Sequence, residues 1–224
     1  MRYLALNFKA FAESSGANGL RLCRAASEAA SAFHGVEVIV APQASDLHWL
    51  ASQELPLIKI FAQHCDSNQP GAFTGSTTAR ALKDAGCHGT LLNHAEKKVS
   101  LQQAGQAISN CSLLGLRVLA CAKDVEEGVA LARLSPWGVA VEPPELIGGG
   151  VSVSSAKPEV VEEAVACIKQ ANPSVVVLVG AGVSNAADAR KCVELGAQGV
   201  LLASAFVKAR EPREWVEQVL RALE

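Results

Sequence analysis

Short apolar runs recur along the chain. Eight of them are rich in leucine or β-branched residues, and each is nearly continuous in apolar character rather than alternating with polar residues. Strands with this pattern are buried on both faces, as they are in a parallel sheet. The predicted strands occupy 3–8, 36–41, 57–62, 89–93, 116–122, 137–142, 174–180 and 199–204.

Amphipathic helical patterns lie between these runs. Pro158 falls in the first turn of one, while Asn185 is placed to cap another that stops at Gly196. The predicted helices occupy 17–33, 43–52, 76–85, 99–112, 123–132, 157–171, 185–197 and 211–224.

This alternation predicts an α/β protein with a single domain over residues 1–224. An open doubly wound sheet usually has fewer strands and a glycine-rich turn after its first strand, but here that strand runs into "NFKAF". The pattern therefore favours a closed (β/α)8 barrel.

The composition of the chain limits which partners and which cellular compartment we expect. The net charge is −2, and neither a basic run nor basic–aromatic interleaving is present, so we expect no nucleic-acid partner. The seven cysteines form no CxxC pair, which indicates reduced thiols in a cytoplasmic protein. We expect no membrane association, because no window approaches the roughly 18 apolar residues of a membrane helix.

Polar residues that could take part in catalysis or binding follow the predicted strands, at the end of the barrel where this fold places its active site. They are Asn7 and Lys9 after strand 1, His94 and Glu96 after strand 4, and Glu142 after strand 6. Each has a plainer interpretation as a surface charge or a structural histidine. Glu142 is the least ordinary of them, because it follows "WGVAV" directly and precedes two prolines that restrict its backbone.

Small residues follow strands 7 and 8, in "GAGVSN" and "ASAFVK", and precede helix starts. Such turns expose backbone N–H groups to an anion, and the "GGG" at 148–150 can add more. His94 also precedes a predicted turn of helix, whose dipole would disfavour imidazolium. With neither a metal-ligand cluster nor a nucleophile motif, we expect no metal and no organic cofactor. A base, a neutral electrophile and a phosphate anchor fit proton abstraction beside the carbonyl of a small phosphorylated substrate.

These motifs together resemble the triosephosphate isomerase family, in particular its short archaeal-type branch, over essentially the whole chain. The resemblance implies a TIM barrel and an isomerase of dihydroxyacetone phosphate and D-glyceraldehyde 3-phosphate, serving glycolysis and gluconeogenesis. The motifs that carry it, in the family's order, are "NFK" at 7–9, "GAFTG" at 71–75, "NHAE" at 93–96, "VEPPELIGGG" at 141–150, "GAGVS" at 180–184 and "GVLLAS" at 199–204.

The resemblance also implies residue roles. Glu142 would be the general base, His94 the electrophile that polarises the carbonyl, and Lys9 the cation that binds substrate, supported by Asn7 and contacted by Glu96. Phe73 and Thr74 would belong to a loop that crosses a subunit boundary, and a homotetramer is implied over a dimer. The backbone N–H groups that would hold the phosphate belong to Ile147, Gly148, Gly182, Ala203 and Ser204.

Several positions depart from the family's pattern, among them Gly149, which replaces a residue that is often threonine. Ala95 replaces a usual serine, Glu145 stands where the longer branch has a tryptophan in the lid hinge, and Val179 stands where that branch has a latching tyrosine. Two other classes stay open at this point. One is another phosphate-binding barrel enzyme, similar to thiamin-phosphate synthase or to a tryptophan-pathway enzyme, and the other is a catalytically silent barrel. The joint presence of Lys9, His94 and Glu142 favours the isomerase over both.

Overall fold

Eight parallel strands close into a barrel in the computed structural model, which describes residues 1–142 and 158–224. Each strand pairs with its neighbours in chain order, and β1 closes the ring by pairing with β8. The strands are β1 Arg2–Asn7, β2 Val36–Ala41, β3 Ile58–Ala62, β4 Gly89–Leu92, β5 Arg117–Ala122, β6 Gly138–Val141, β7 Val176–Val179 and β8 Gly199–Leu202.

Helices connect the strands and surround the barrel. The predicted helices are confirmed, with ends that differ by a few residues, and a short additional helix, α8, follows β8 directly. The helices are α1 Ala17–Ala30, α2 Leu47–Ala51, α3 Ala79–Asp84, α4 Leu101–Leu113, α5 Val125–Ala132, α6 Pro158–Ala171, α7 Ala186–Glu194, α8 Ser204–Val207 and α9 Pro212–Leu223, and short 3-10 turns lie at Ala12–Ser14 and Ala44–Asp46.

Two apolar layers explain why the strands carry almost no polar residues. Side chains such as Ile39, Leu119 and Leu178 fill the inside of the barrel. The residues between them on each strand, such as Val38, Ala120 and Val177, pack outward against the helices. Because successive strand residues face opposite sides, both sets are buried and the runs are continuous.

The same alternation determines which residues at the strand ends point into the barrel mouth. Ala5, Ala140 and Leu178 face inward, so the next inward positions are Asn7, Glu142 and Gly180. Asn7 and Glu142 are only 5% and 8% exposed. Two polar side chains are therefore held at the mouth by the register of the strands rather than by loop conformation.

All seven cysteines lie within the described residues and carry free thiols. A search of the described residues for a helix of the length and apolarity needed to cross a membrane found none.

Candidate active site

Glu142 stands at the centre of the mouth, immediately after β6. Its backbone N–H donates to the carbonyl of Ala122 at 2.8 Å, which ties the end of β6 to the end of β5. Burial raises the pKa of its carboxyl to about 7, against the opposing charge of Lys9. A carboxylate with this pKa can accept a proton near neutral pH and release it again, as a general base must.

Gly180 is the residue that leaves room for this carboxylate. A Cβ placed on Gly180 would lie 2.8 Å from Cγ of Glu142, closer than real side chains approach one another. The strand register therefore requires glycine at the inward-facing position directly after β7, next to the base.

His94 lies beside Glu142, with Nε2 3.5 Å from Oε1 of the carboxylate. Its other ring nitrogen, Nδ1, accepts a hydrogen bond from the backbone N–H of Glu96 at 3.2 Å. A ring nitrogen that accepts carries no proton, so this bond specifies a neutral imidazole whose proton sits on Nε2. Burial and the charge of Lys9 lower the pKa of His94, in agreement with that form.

The prediction that a helix begins directly after His94 is wrong. Residues after His94 form a single turn, closed by the N–H of Lys97 donating to the carbonyl of His94, and α4 begins only at Leu101. A capping box between Ser100 and Gln103 fixes that start. The neutral imidazole thus depends on burial, Lys9 and the Glu96 amide rather than on a helix terminus.

Ala95 keeps one contact with the base despite its lack of a hydroxyl. Its backbone N–H interacts with the Glu142 carboxylate and lowers the pKa of that carboxyl, against the larger effect of burial. The usual serine hydroxyl is absent at this position, but the orientation of Glu142 in this structure is still supported from the same residue.

Lys9 reaches the mouth from the loop after β1. Its Nζ donates to Oε1 of Glu96 at 2.7 Å, and this contact lowers the pKa of the Glu96 carboxyl. The backbone of Lys9 has a φ of +47°, an uncommon conformation for a residue with a side chain. The Oδ1 of Asn7 accepts from the Lys9 N–H at 2.9 Å, so Asn7 supports this backbone.

Gln63 is a contributor that the sequence did not single out. Its Nε2 donates to the carbonyl of Lys9 at 2.8 Å and to that of Ala41 at 2.9 Å. The amide thereby connects the loop after β1 to the ends of β2 and β3. Its only signal in the sequence was its place directly after β3.

The turns after β7 and β8 line the same cavity, which has a volume of about 470 Å³. Gly182 has a φ of +68°, and Ser184 is fixed by its N–H and hydroxyl, which donate to Oδ2 of the buried Asp188 at 3.0 and 3.1 Å. Ala203 precedes the first turn of α8, which begins at Ser204. Gly182, Ala203 and Ser204 line the cavity together with Asn7, Lys9, His94, Glu96 and Glu142.

Two groups of predicted residues are not among the described residues that line this cavity. Phe73, 52% exposed, and the exposed Thr74 lie in the loop after β3. Ile147 and Gly148, with the two prolines and Glu145 of the predicted lid, fall outside the described residues. Val179 is buried at the end of β7. Among the described residues, no group of three His, Cys, Asp or Glu side chains is placed to hold a metal ion.

The chain is similar to known proteins over nearly its whole length. The triosephosphate isomerase family profile matches residues 2–220. Among curated proteins, the triosephosphate isomerase of Methanocaldococcus jannaschii is 43% identical over 97% of this chain and 98% of its own length. Those of Methanothermus fervidus and Methanosarcina barkeri are 44% and 40% identical, covering 97% and 99% of this chain and 96% and 98% of theirs.

Proposed function

Since the chain belongs to the triosephosphate isomerase family, its reaction is the interconversion of dihydroxyacetone phosphate and D-glyceraldehyde 3-phosphate, and we propose that Glu142, His94 and Lys9 carry it out. The single observation that supports this assignment best is the Glu142–His94 pair. A carboxylate with a pKa of about 7 lies 3.5 Å from the Nε2 of a neutral imidazole. Other phosphate-binding barrel enzymes are not favoured.

Glu142 removes the proton from the substrate carbon next to the carbonyl and returns it to the neighbouring carbon. The electron pair of the broken C–H bond moves into the carbon skeleton, and negative charge develops on the carbonyl oxygen. The intermediate is an enediolate, in which both oxygens need stabilisation.

His94 stabilises that oxygen through its Nε2–H, because Nδ1 is already occupied by the Glu96 N–H. A neutral imidazole that donates one proton can also take one back, so it can move protons between the two oxygens. Lys9 supplies a fixed positive charge near the enediolate, and Glu96 and Asn7 hold that residue in place.

The phosphate group lies against the turns after β7 and β8, where Gly182, Ala203 and Ser204 line the cavity. Turns of small residues before helix starts expose N–H groups that suit a dianion. By the family resemblance, Ile147 and Gly148 complete this site.

The assembly is a homotetramer, and the setting is the cytoplasm, in glycolysis and gluconeogenesis. Phe73 supports a subunit contact, because an aromatic side chain that is 52% exposed in one chain gains free energy when a neighbour covers it. Thr74 in the same loop then reaches the neighbouring active site. No cofactor takes part in this scheme.

A coupled assay tests the reaction and the site together. Glyceraldehyde 3-phosphate is supplied, the formation of dihydroxyacetone phosphate is followed, and phosphoglycolate is added as a mimic of the intermediate. We expect turnover that phosphoglycolate inhibits competitively. Absence of turnover in a folded protein would refute the proposal.

A further inference from the structure

The loop 93–99 carries three parts of the site, and its anchorage lies outside the cavity. His94 faces Glu142, the Ala95 N–H interacts with the Glu142 carboxylate, and Glu96 holds Lys9. A displacement of this loop therefore moves the electrophile, a support of the base and the partner of the cation at once.

Asn93 fastens both ends of the loop. Its backbone has a φ of +59°, and its side chain is 2% exposed. Its Oδ1 accepts from the N–H of Val99 at 3.1 Å, and its Nδ2 donates to the carbonyl of Cys121 at 3.0 Å. The amide thus closes the loop and ties it to β5.

Glu127, in the first turn of α5, binds two residues of the 93–99 loop, Asn93 and Lys98. Its Oε1 accepts from Nδ2 of Asn93 at 2.9 Å, and its Oε2 accepts from Nζ of Lys98 at 2.7 Å. One carboxylate therefore binds the beginning and the end of the loop. The N–H of Lys123 also donates to Oε2, at 2.7 Å.

The charge state of Glu127 fits this role. Partial burial opposes ionisation, but the hydrogen bonds from Lys123, Lys98 and Asn93 hold the pKa of its carboxyl below the ordinary value. The described lining of the cavity contains Ala95 and Glu96 but not Glu127. Glu127 consequently acts on the reaction only through the loop.

We propose that Glu127 is a positioning residue of the isomerase, which sets the place of His94, Ala95 and Glu96 by holding Asn93 and Lys98. The proposal rests on the proposed function of that site. A loosened loop reduces kcat, because the reacting groups are misplaced. KM changes little, because the turns after β7 and β8 hold the phosphate and because Asn7 and Gln63 still support the backbone of Lys9.

Glu127→Gln is the direct test. The amide keeps the shape of the side chain and can still accept from Asn93, but its NH2 then faces two donors, Lys98 and the Lys123 N–H. Displacements of this kind reduce turnover by about 10- to 100-fold. We expect kcat to fall at least about tenfold at pH 8.5, with KM within about twofold of wild type.

Lys98→Met is the second variant. The Lys98 side chain is exposed, and because its charge also lowers the pKa of Glu142, the assay is made at pH 8.5, well above that pKa. This variant should reproduce most of the loss, and the double variant Glu127→Gln/Lys98→Met should be no slower than the slower single variant, because both act on one contact. Glu126→Gln is the matched control, since Glu126 carries the same charge on the same turn and is exposed. It should leave kcat unchanged.

Amide hydrogen exchange of residues 93–99 gives a readout independent of turnover. We expect exchange in Glu127→Gln to be at least about tenfold faster in this segment than in wild type, with α7 unchanged. The inference is overturned if kcat and exchange both stay within twofold of wild type, or if kcat and KM are damaged equally. A folded wild type without isomerase activity would instead refute the proposed function.

Discussion

Replacement of Glu142 by glutamine should abolish turnover and at the same time stabilise the protein. In the folded state burial keeps the pKa of Glu142 at about 7, against an ordinary value of 4.5. Above pH 7 the fold therefore contains a carboxylate that would be better solvated in the unfolded chain. Glutamine has nearly the same shape and carries no charge.

The size of the effect follows from the two pKa values. Their difference, 7 minus 4.5, is about 2.5 pH units. At about 1.36 kcal/mol for each pH unit, ionisation of Glu142 costs the fold roughly 3 kcal/mol. For a domain of 150–250 residues, 1 kcal/mol corresponds to about 2–4 °C in Tm, so the variant should melt roughly 6–12 °C higher at pH 8.

The sign of the pH dependence makes this prediction specific. An acid whose folded pKa is raised loses its share of stability as pH rises from 4.5 to 7. The gain from Glu142→Gln should therefore be full at pH 8 and nearly absent at pH 4.5, where the wild-type carboxyl is protonated in the folded state and half protonated in the unfolded chain.

Paired thermal melts of wild type and Glu142→Gln at pH 8 and pH 4.5, with unfolding followed by calorimetry, measure the difference. Gln102→Glu is the control, because it exchanges a carboxamide and a carboxylate at an exposed position of α4. Gln63 cannot serve in this way, because its amide donates to the carbonyl of Lys9. An equal melting temperature at pH 8, or an equal gain at both pH values, would refute the reasoning.

The remaining predictions concern pH, space and assembly. First, kcat/KM should fall about tenfold for each pH unit below 7, because only ionised Glu142 accepts a proton; a profile that stays flat to pH 5.5 would contradict this. Second, Gly180→Ala should lower kcat about tenfold or more, because its Cβ would lie 2.8 Å from Cγ of Glu142. Gly105→Ala is the control and should leave kcat unchanged, because the nearest atom to its Cβ would be 3.6 Å away. Equal rates in the two variants would exclude the steric argument. Third, specific activity should fall on dilution, because the loop that carries Phe73 needs a neighbouring subunit; a monomer that is fully active by light scattering and assay would refute the role of that loop.

The barrel was predictable because burial on both faces leaves a strong mark in the sequence. The run at 36–41 coincides with β2 at both ends, since its apolar residues all pack inside the barrel or against the helices. The run at 174–180 is longer than β7, which covers Val176–Val179, because apolar character continues beyond the paired residues. Apolar pattern thus locates a strand better than it locates the strand's ends.

The supports of the site were much harder to predict. Asn93 and Glu127 meet only because β4 and β5 are neighbours, and nothing in their spacing of 34 residues indicates the contact. Gly180 looked like part of a phosphate turn, while its contact with Glu142 depends on the register of β6 and β7. The neutral state of His94 was expected for a wrong reason, because the Glu96 amide does what was ascribed to a helix.

The central claim is that Glu142 moves a proton that has become exchangeable with solvent. Isomerisation of glyceraldehyde 3-phosphate in D2O, with the product analysed by NMR, tests it most directly. The account predicts deuterium at C1 of the dihydroxyacetone phosphate formed by wild type, and negligible product formation by Glu142→Gln at equal protein concentration. A product that retains all of the substrate hydrogen, or a glutamine variant that turns over at the wild-type rate, would contradict it.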